Sequence, residues 1–168
     1  MLDLEPGPDV PFSAVVAAAR NARPTGRLGL STGGKGLHVA TPLAVNKRKP
    51  LTWAEAKGFA HDVCQEMARD NPDLYLTKMT KSLRGGWIFL DYLRNDPVAP
   101  LSPRARPGAT VSMRVTWTRV KSDLDPKRFT IRTAPALLAK TTAWEDYCDG
   151  QRPLEQAIKR HGKQKSAA

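Results

Sequence analysis

The chain has 168 residues, enough for one domain with its own core, and no apolar run long enough to span a membrane. Lys and Arg number 27 against 16 Asp and Glu, a formal charge of +11 that favours a polyanionic partner; the basic residues are scattered rather than set along one amphipathic helix, which argues against a membrane surface. The N-terminus lacks the basic-then-apolar order of a signal peptide, and two cysteines do not make a secreted disulfide scaffold, so Cys64 and Cys148 read as reduced packing residues of a cytoplasmic protein.

In chain order, Leu2-Asp3-Leu4-Glu5 alternates apolar and acidic with the period of a strand, and Pro6-Gly7-Pro8 stops it. Val10 to Ala22 reads as a helix with Val15, Val16 and Ala19 as its apolar stripe, and Arg23 to Gly26 as a loop. Short strands follow at about Arg27–Ser31 and Leu37–Thr41, joined through Gly33-Gly34-Lys35-Gly36 as a hairpin. Thr52 and Glu55 have capping-box spacing, and the helix behind them carries Phe59, Val63, Cys64 and Met67 on one face until Asn71-Pro72. Ile88 to Tyr92 reads as a strand, and Pro97, Pro100, Pro103 and Pro107 make an extended loop. A strand is expected over Val111–Trp117, and a helix from Thr133 and Pro135 to Cys148, stopping at Gly150. Pro153 to His161 reads as a last helix, so residues 1–161 are expected to form the folded unit and 162–168 a disordered basic tail.

Asp3 and Glu5, two apart on a strand, face one way. Their charges repel, and a divalent cation would relieve the repulsion; all-oxygen donors suit Mg²⁺ or Mn²⁺. On the pair alone, a solvated strand edge is the better explanation. Asp91 shifts the balance, because it interrupts the apolar run Ile88-Phe89-Leu90 and a carboxylate there needs a partner. That partner is either a metal shared with Asp3 and Glu5 or an arginine, Arg84 or Arg94. Gly29-x₄-Gly34-Lys35 approaches a P-loop, but Gly36 replaces the required Ser or Thr and a strand follows instead of a helix, which excludes a P-loop NTPase. Such a turn can still present N–H groups to phosphate. His38 lies on the face opposite Leu37 and Val39, and the lysine three residues before it leaves phosphate contact and a structural role both open. Arg84 and Arg104 have forks suited to triphosphate oxygens, although each alone is better explained as a surface residue.

Six ordered blocks together resemble the polymerase–primase domain found with bacterial ATP-dependent DNA ligase D, within the archaeo-eukaryotic primase superfamily. They are Asp3-Leu4-Glu5-Pro6-Gly7; Thr32-Gly33-Gly34-Lys35-Gly36-Leu37-His38-Val39; Tyr75-Leu76-Thr77-Lys78-Met79-Thr80-Lys81; Arg84 through Asp91-Tyr92-Leu93-Arg94-Asn95; Ser102-Pro103-Arg104-Ala105-Arg106-Pro107-Gly108; and Arg132-Thr133-Ala134-Pro135-Ala136-Leu137. The resemblance implies an α+β fold with an RRM-like, mainly antiparallel sheet and flanking helices. It implies template-directed addition of NTP or dNTP to DNA ends in non-homologous end joining. Carried over, Asp3, Glu5 and Asp91 hold two divalent ions, Mn²⁺ or Mg²⁺, while Thr32, Lys35, His38, Arg84 and Arg104 bind the nucleotide. The implied partners are DNA ends, a separate N-terminal half, a ligase domain or a Ku-type end-binding protein at the bacterial nucleoid, with no membrane.

The chain departs from that pattern in its details. Glu5 stands where the family pair has a second aspartate, Thr32 where serine is usual, and Trp87 where a basic residue is usual; the segment Asp96-Pro97-Val98 is shorter than the family's loop. Met1 is two residues from Asp3, whereas the family domain has a substantial region before its first carboxylates. The expectation is therefore an N-terminally truncated C-terminal part whose first strand is poorly held and whose apolar surface is exposed. A catalytically dead DNA-binding or scaffolding remnant is the alternative reading.

Overall fold

The computed structural model describes residues 1–22, 28–44, 46, 48, 50–93 and 101–159. The loop read at Arg23 to Gly26, the start of the hairpin at Arg27, Arg94, the proline stretch as far as Pro100, His161 and the tail lie outside them. The first strand, β1 (Leu2–Pro6), leads into helix α1 (Phe12–Asn21), and β2 (Leu28–Ser31) and β3 (Leu37–Ala40) form the expected hairpin. A short β4 (Leu43–Ala44) precedes the long helix α2 (Trp53–Asp70). Then come β5 (Tyr75–Leu76), β6 (Ile88–Asp91), β7 (Arg114–Val115), the short helix α3 (Ala134–Leu138) and β8 (Arg152–Pro153).

Six strands form one sheet in the order β5-β6-β1-β3-β2-β7, and β4 pairs with β8 separately. Every pairing in the six-stranded sheet is antiparallel except β5 with β6. The inner four strands, β6-β1-β3-β2, with α1 and α2 as the two crossovers, make a βαββαβ unit, the connectivity of an RRM-like sheet. The fold is α+β, with helices flanking a mainly antiparallel sheet.

The two faces of this sheet follow from the strand period of two. Leu4, Leu37, Ile88 and Leu90 are fully buried on one face, where α1 contributes Val15, Val16, Ala18 and Ala19. Asp3, Glu5, His38 and Asp91 occupy the alternate positions and leave by the other face. Helix α2 starts where the spacing predicts: the Thr52 hydroxyl accepts from Glu55 N at 3.2 Å, and Glu55 accepts from Thr52 N at 2.7 Å.

Several expectations change. β1 is not poorly held but lies at the centre of the sheet, paired on one side to β3 and on the other to β6, with Leu4 fully buried. The strand that completes its second edge comes more than eighty residues later. Among the described residues the large apolar side chains left exposed are Trp53, Met79, Leu83, Trp87, Leu93, Leu101 and Ile131, three of them in the loop from 77 to 87. The helix expected to reach Cys148 stops at Leu138. Thr141 Oγ1 instead accepts from Ala143 N at 3.2 Å, a local bond that competes with helix, and Trp144 adopts φ +80°. The strand expected over Val111–Trp117 contracts to Arg114–Val115, because Val111 bridges to Pro103 and the backbone turns at Thr116.

Candidate functional site

Strand register sets the site. Asp3 on β1 lies directly opposite His38 on β3 and Asp91 on β6. Side chains opposite one another in an antiparallel ladder share a face, with Cβ atoms about 4.5–5.5 Å apart. One row across three strands therefore carries carboxylate, carboxylate and imidazole. His38, almost fully buried, brings Nε2 to 3.2 Å from Asp3 Oδ2. The other oxygen, Asp3 Oδ1, is buried without a hydrogen-bond partner. Asp91, also buried, accepts from Leu93 N at 2.9 Å through its Oδ1.

Glu5, two residues along β1, is in different company. Arg84 Nη1 donates to its Oε2 at 2.6 Å, and Arg84 Nη2 donates to Met79 O at 3.0 Å. The guanidinium lies over the Phe89 ring, 3.9 Å from its centroid. Of the two arginines near Asp91 in sequence, Arg84 belongs to Glu5, and Arg94 lies outside the described residues. Among the described residues, no three His, Cys, Asp or Glu side chains are gathered as a metal-binding group.

The glycine turn closes beside this row. Thr32 Oγ1 donates to Gly36 O at 3.1 Å and accepts from Gly34 N at 3.2 Å. Gly36 is required by proximity: a Cβ there would come within 2.9 Å of Leu4 O and 3.5 Å of Asp3 Oδ1. The turn is thus packed directly against the acidic strand. Arg104 fastens it, donating through Nε and Nη2 to Thr32 O at 2.9 and 2.7 Å. Together these elements enclose an open cleft of about 500 Å³, lined by Asp3, Glu5, Thr32, Lys35, His38 and Arg104. Arg84 reaches it through Glu5, and Asp91 through the β1–β6 ladder.

Two contributors are not among the candidate site residues read from the sequence. Arg106 also lines the cleft and donates through Nε and Nη2 to Thr110 Oγ1, whose hydroxyl in turn donates to Gly33 O. Buried Ser31 accepts from Gly33 N at 3.2 Å. The spacing Arg104-x-Arg106 is the available signal for the first. A lone serine before a glycine turn gives none for the second.

The donor chemistry fits a divalent cation at one end of β1. A buried, unsatisfied carboxylate oxygen with a second carboxylate directly opposite is a hard, anionic oxygen set. Glu5, the remaining carboxylate on this face of β1, is paired with Arg84 instead.

An RRM-like sheet with acids on its central strands beside a basic glycine-turn cleft defines a class, and comparison supplies the family. The description "LigD, primase-polymerase domain" matches residues 1–144, and the chain belongs to this family. It is 32% identical over 173 residues to the multifunctional non-homologous end joining protein LigD of Pseudomonas aeruginosa, covering 95% of this chain and 20% of that protein. It is 33% identical over 130 residues to the corresponding protein of Mycolicibacterium smegmatis, covering 71% of this chain and 16% of that one. Among solved structures it resembles the polymerase domain of Mycobacterium tuberculosis ligase D in complex with DNA. That match has a TM-score of 0.73 and 30% identity over 88% of this chain and 53% of that chain. The chain spans about a fifth of the length of the P. aeruginosa relative. No helix among the described residues is long and apolar enough to cross a membrane.

Proposed function

We propose that the chain carries out template-directed addition of NTP or dNTP to DNA ends in non-homologous end joining. The observation that carries this reading is the unpartnered Oδ1 of Asp3, opposite Asp91 and beside a basic cleft. Asp3, Asp91 and Glu5 would hold two divalent ions, Mn²⁺ or Mg²⁺, which when bound activate the attacking 3′-hydroxyl and neutralise charge on the leaving pyrophosphate. The chain's own residues position the reactants. His38 holds Asp3 Oδ2 and leaves Oδ1 for the ion. Lys35, exposed on the turn, supplies a mobile cation for the triphosphate, and the Thr32 hydroxyl keeps the turn closed beneath it. Arg104 binds phosphate from a fork already anchored to Thr32 O, and Arg84 joins when it exchanges Glu5 for a phosphate. Placement and charge neutralisation supply most of the acceleration in phosphoryl-type transfer. In this reading the protein works at the bacterial nucleoid, with a ligase domain or a Ku-type end-binding protein as partner.

Extension of a primed DNA end, with Mn²⁺ or Mg²⁺ and each nucleotide type, tests the proposal. Incorporation that disappears in Asp91→Asn supports it. No incorporation by the chain under any of these conditions, alone or supplemented with a ligase domain, sinks it.

The Glu5–Arg84 pair favours a second reading, a non-catalytic DNA-binding remnant, because it occupies one proposed ligand. That reading expects salt-sensitive DNA binding indifferent to Mn²⁺ and to Asp3→Asn.

A further inference from the structure

Beyond the end of β1, the loop from 77 to 87 presents a second surface. Between Leu74 and Leu90 the sequence holds Lys78, Lys81 and Arg84 and no acidic residue. Arg84 is neutralised by Glu5, which leaves exposed Lys78 and Lys81 as the loop's uncommitted cations. The same loop exposes three large apolar side chains: Met79 at 51%, Leu83 at 48% and Trp87 at 38%. The other exposed large apolar side chains among the described residues, Trp53, Leu93, Leu101 and Ile131, lie in separate stretches of sequence.

The loop is held firmly. Leu83 N donates to Thr80 O, Arg84 N to Lys81 O and Trp87 N to Arg84 O, closing successive tight turns. Gly7 clamps it to β1: its N donates to Trp87 O at 2.9 Å, and a Cβ at Gly7 would overlap Arg84 O at 1.7 Å. The indole Nε1 of Trp87 donates to Pro72 O at 3.0 Å, which fixes the ring. Its only hydrogen-bond donor is therefore spent, and what it still offers a ligand is π surface and apolar area.

A fixed aromatic ring with flexible apolar neighbours and flanking lysines is the composition of a surface that stacks unpaired bases and tracks a phosphate backbone. An apolar protein partner would not use two uncommitted lysines in the same loop as the ring, and bases within a duplex are already stacked. We propose that Trp87, with Met79 and Leu83, is a stacking platform for an unpaired base of single-stranded DNA, and that Lys78 and Lys81 contact its phosphates. This rests on the nucleic-acid reading above and deepens it: an unpaired strand at a DNA end is held one loop away from the acidic row.

The test is titration of the full chain into a labelled oligothymidylate and, separately, a blunt duplex, followed by anisotropy over a salt series. Trp87→Ala weakens single-strand binding about tenfold or more, while Trp87→Phe, which keeps a stacking face, stays within about threefold of the parent. Blunt-duplex affinity is the same for the parent and Trp87→Ala. Replacing Lys78 and Lys81 together by Ala reduces the slope of log affinity against log salt by about 1.4, roughly 0.7 for each single-strand phosphate that a lysine no longer neutralises. Unchanged single-strand affinity in Trp87→Ala overturns the platform. So does equal weakening on both substrates, or loss of self-association in the ultracentrifuge without loss of single-strand affinity. Primer extension separates the two claims: a parent that binds through Trp87 but does not extend keeps the platform and loses the polymerase reading. A parent that extends with Trp87→Ala affinity unchanged does the reverse.

Discussion

The two carboxylates of β1 are two residues apart and share a face, yet they have opposite surroundings. Asp3 faces a second carboxylate and an imidazole, is mostly shielded, and keeps one oxygen unsatisfied. Glu5 is half exposed and closed off by an arginine that is itself seated on Phe89. The difference arises from what β6 and the loop before it place opposite each position. Asp91 falls opposite Asp3, and Phe89 opposite Glu5. An aromatic ring gives a guanidinium a seat, and a seated guanidinium attracts the longer carboxylate. One end of the strand keeps a carboxylate oxygen without a hydrogen-bond partner, while the other is paired with a guanidinium.

The sharpest way to break this contrast is to remove charge at the Asp3 end. Asp3→Asn or Asp91→Asn should each lower nucleotide incorporation by about a thousandfold, the scale of losing a preorganised electrostatic element. Melting temperature in metal-free buffer should hardly move, because the substitution also relieves like-charge repulsion. A comparable loss of melting temperature would mark these acids as structural. Glu5→Gln should cost much less, about tenfold in incorporation, as expected for a ligand-shell change that keeps a neutral oxygen. Its stability cost should be below about 1 kcal/mol, because the carboxylate is half exposed and the pair is screened by solvent. Equal losses for Asp3→Asn and Glu5→Gln would erase the distinction between the two ends.

The smallest effect lies behind Asp91. Cys64, fully buried in α2, has its thiol pushed up to about 12, first by burial and then by the charge of Asp91. The unfolded chain releases this proton above about pH 9, while the folded chain retains it. Stability from this group is therefore complete below pH 9 and declines as the pH rises toward 12, by about 1 kcal/mol at pH 10. Urea unfolding at pH 8 and pH 10 should show that decline, and Cys64→Ala should flatten it. The same slope in both proteins would mean that burial in the folded chain does not raise the thiol.

Much of this is legible in the sequence, and what is not has physical causes. Local signals hold: the alternation of Leu2 to Glu5, the Thr52–Glu55 capping box and the glycine hairpin each depend on neighbours within a few residues. The family read from six sequence blocks is the family found. The centrality of β1 is not legible, since its second edge is β6, and no local period reports a pairing across more than eighty residues of intervening chain. The Arg84–Glu5 pair is hidden for the same reason: Arg84 is a near neighbour of Asp91 in sequence, yet its partner sits on another strand. Helix α3 is shorter than its pattern suggests because Thr141 and Trp144, which end the helical stretch through a side-chain bond and a left-handed backbone, read as ordinary helix positions in a one-dimensional pattern.

Manganese binding in the absence of nucleotide, followed by electron paramagnetic resonance, tests the contrast most directly. The parent chain should bind Mn²⁺, Asp3→Asn and Asp91→Asn should each abolish binding, and Glu5→Gln should retain it at about tenfold lower affinity. Binding that survives Asp3→Asn and vanishes in Glu5→Gln would contradict the assignment of the cation to the Asp3 end.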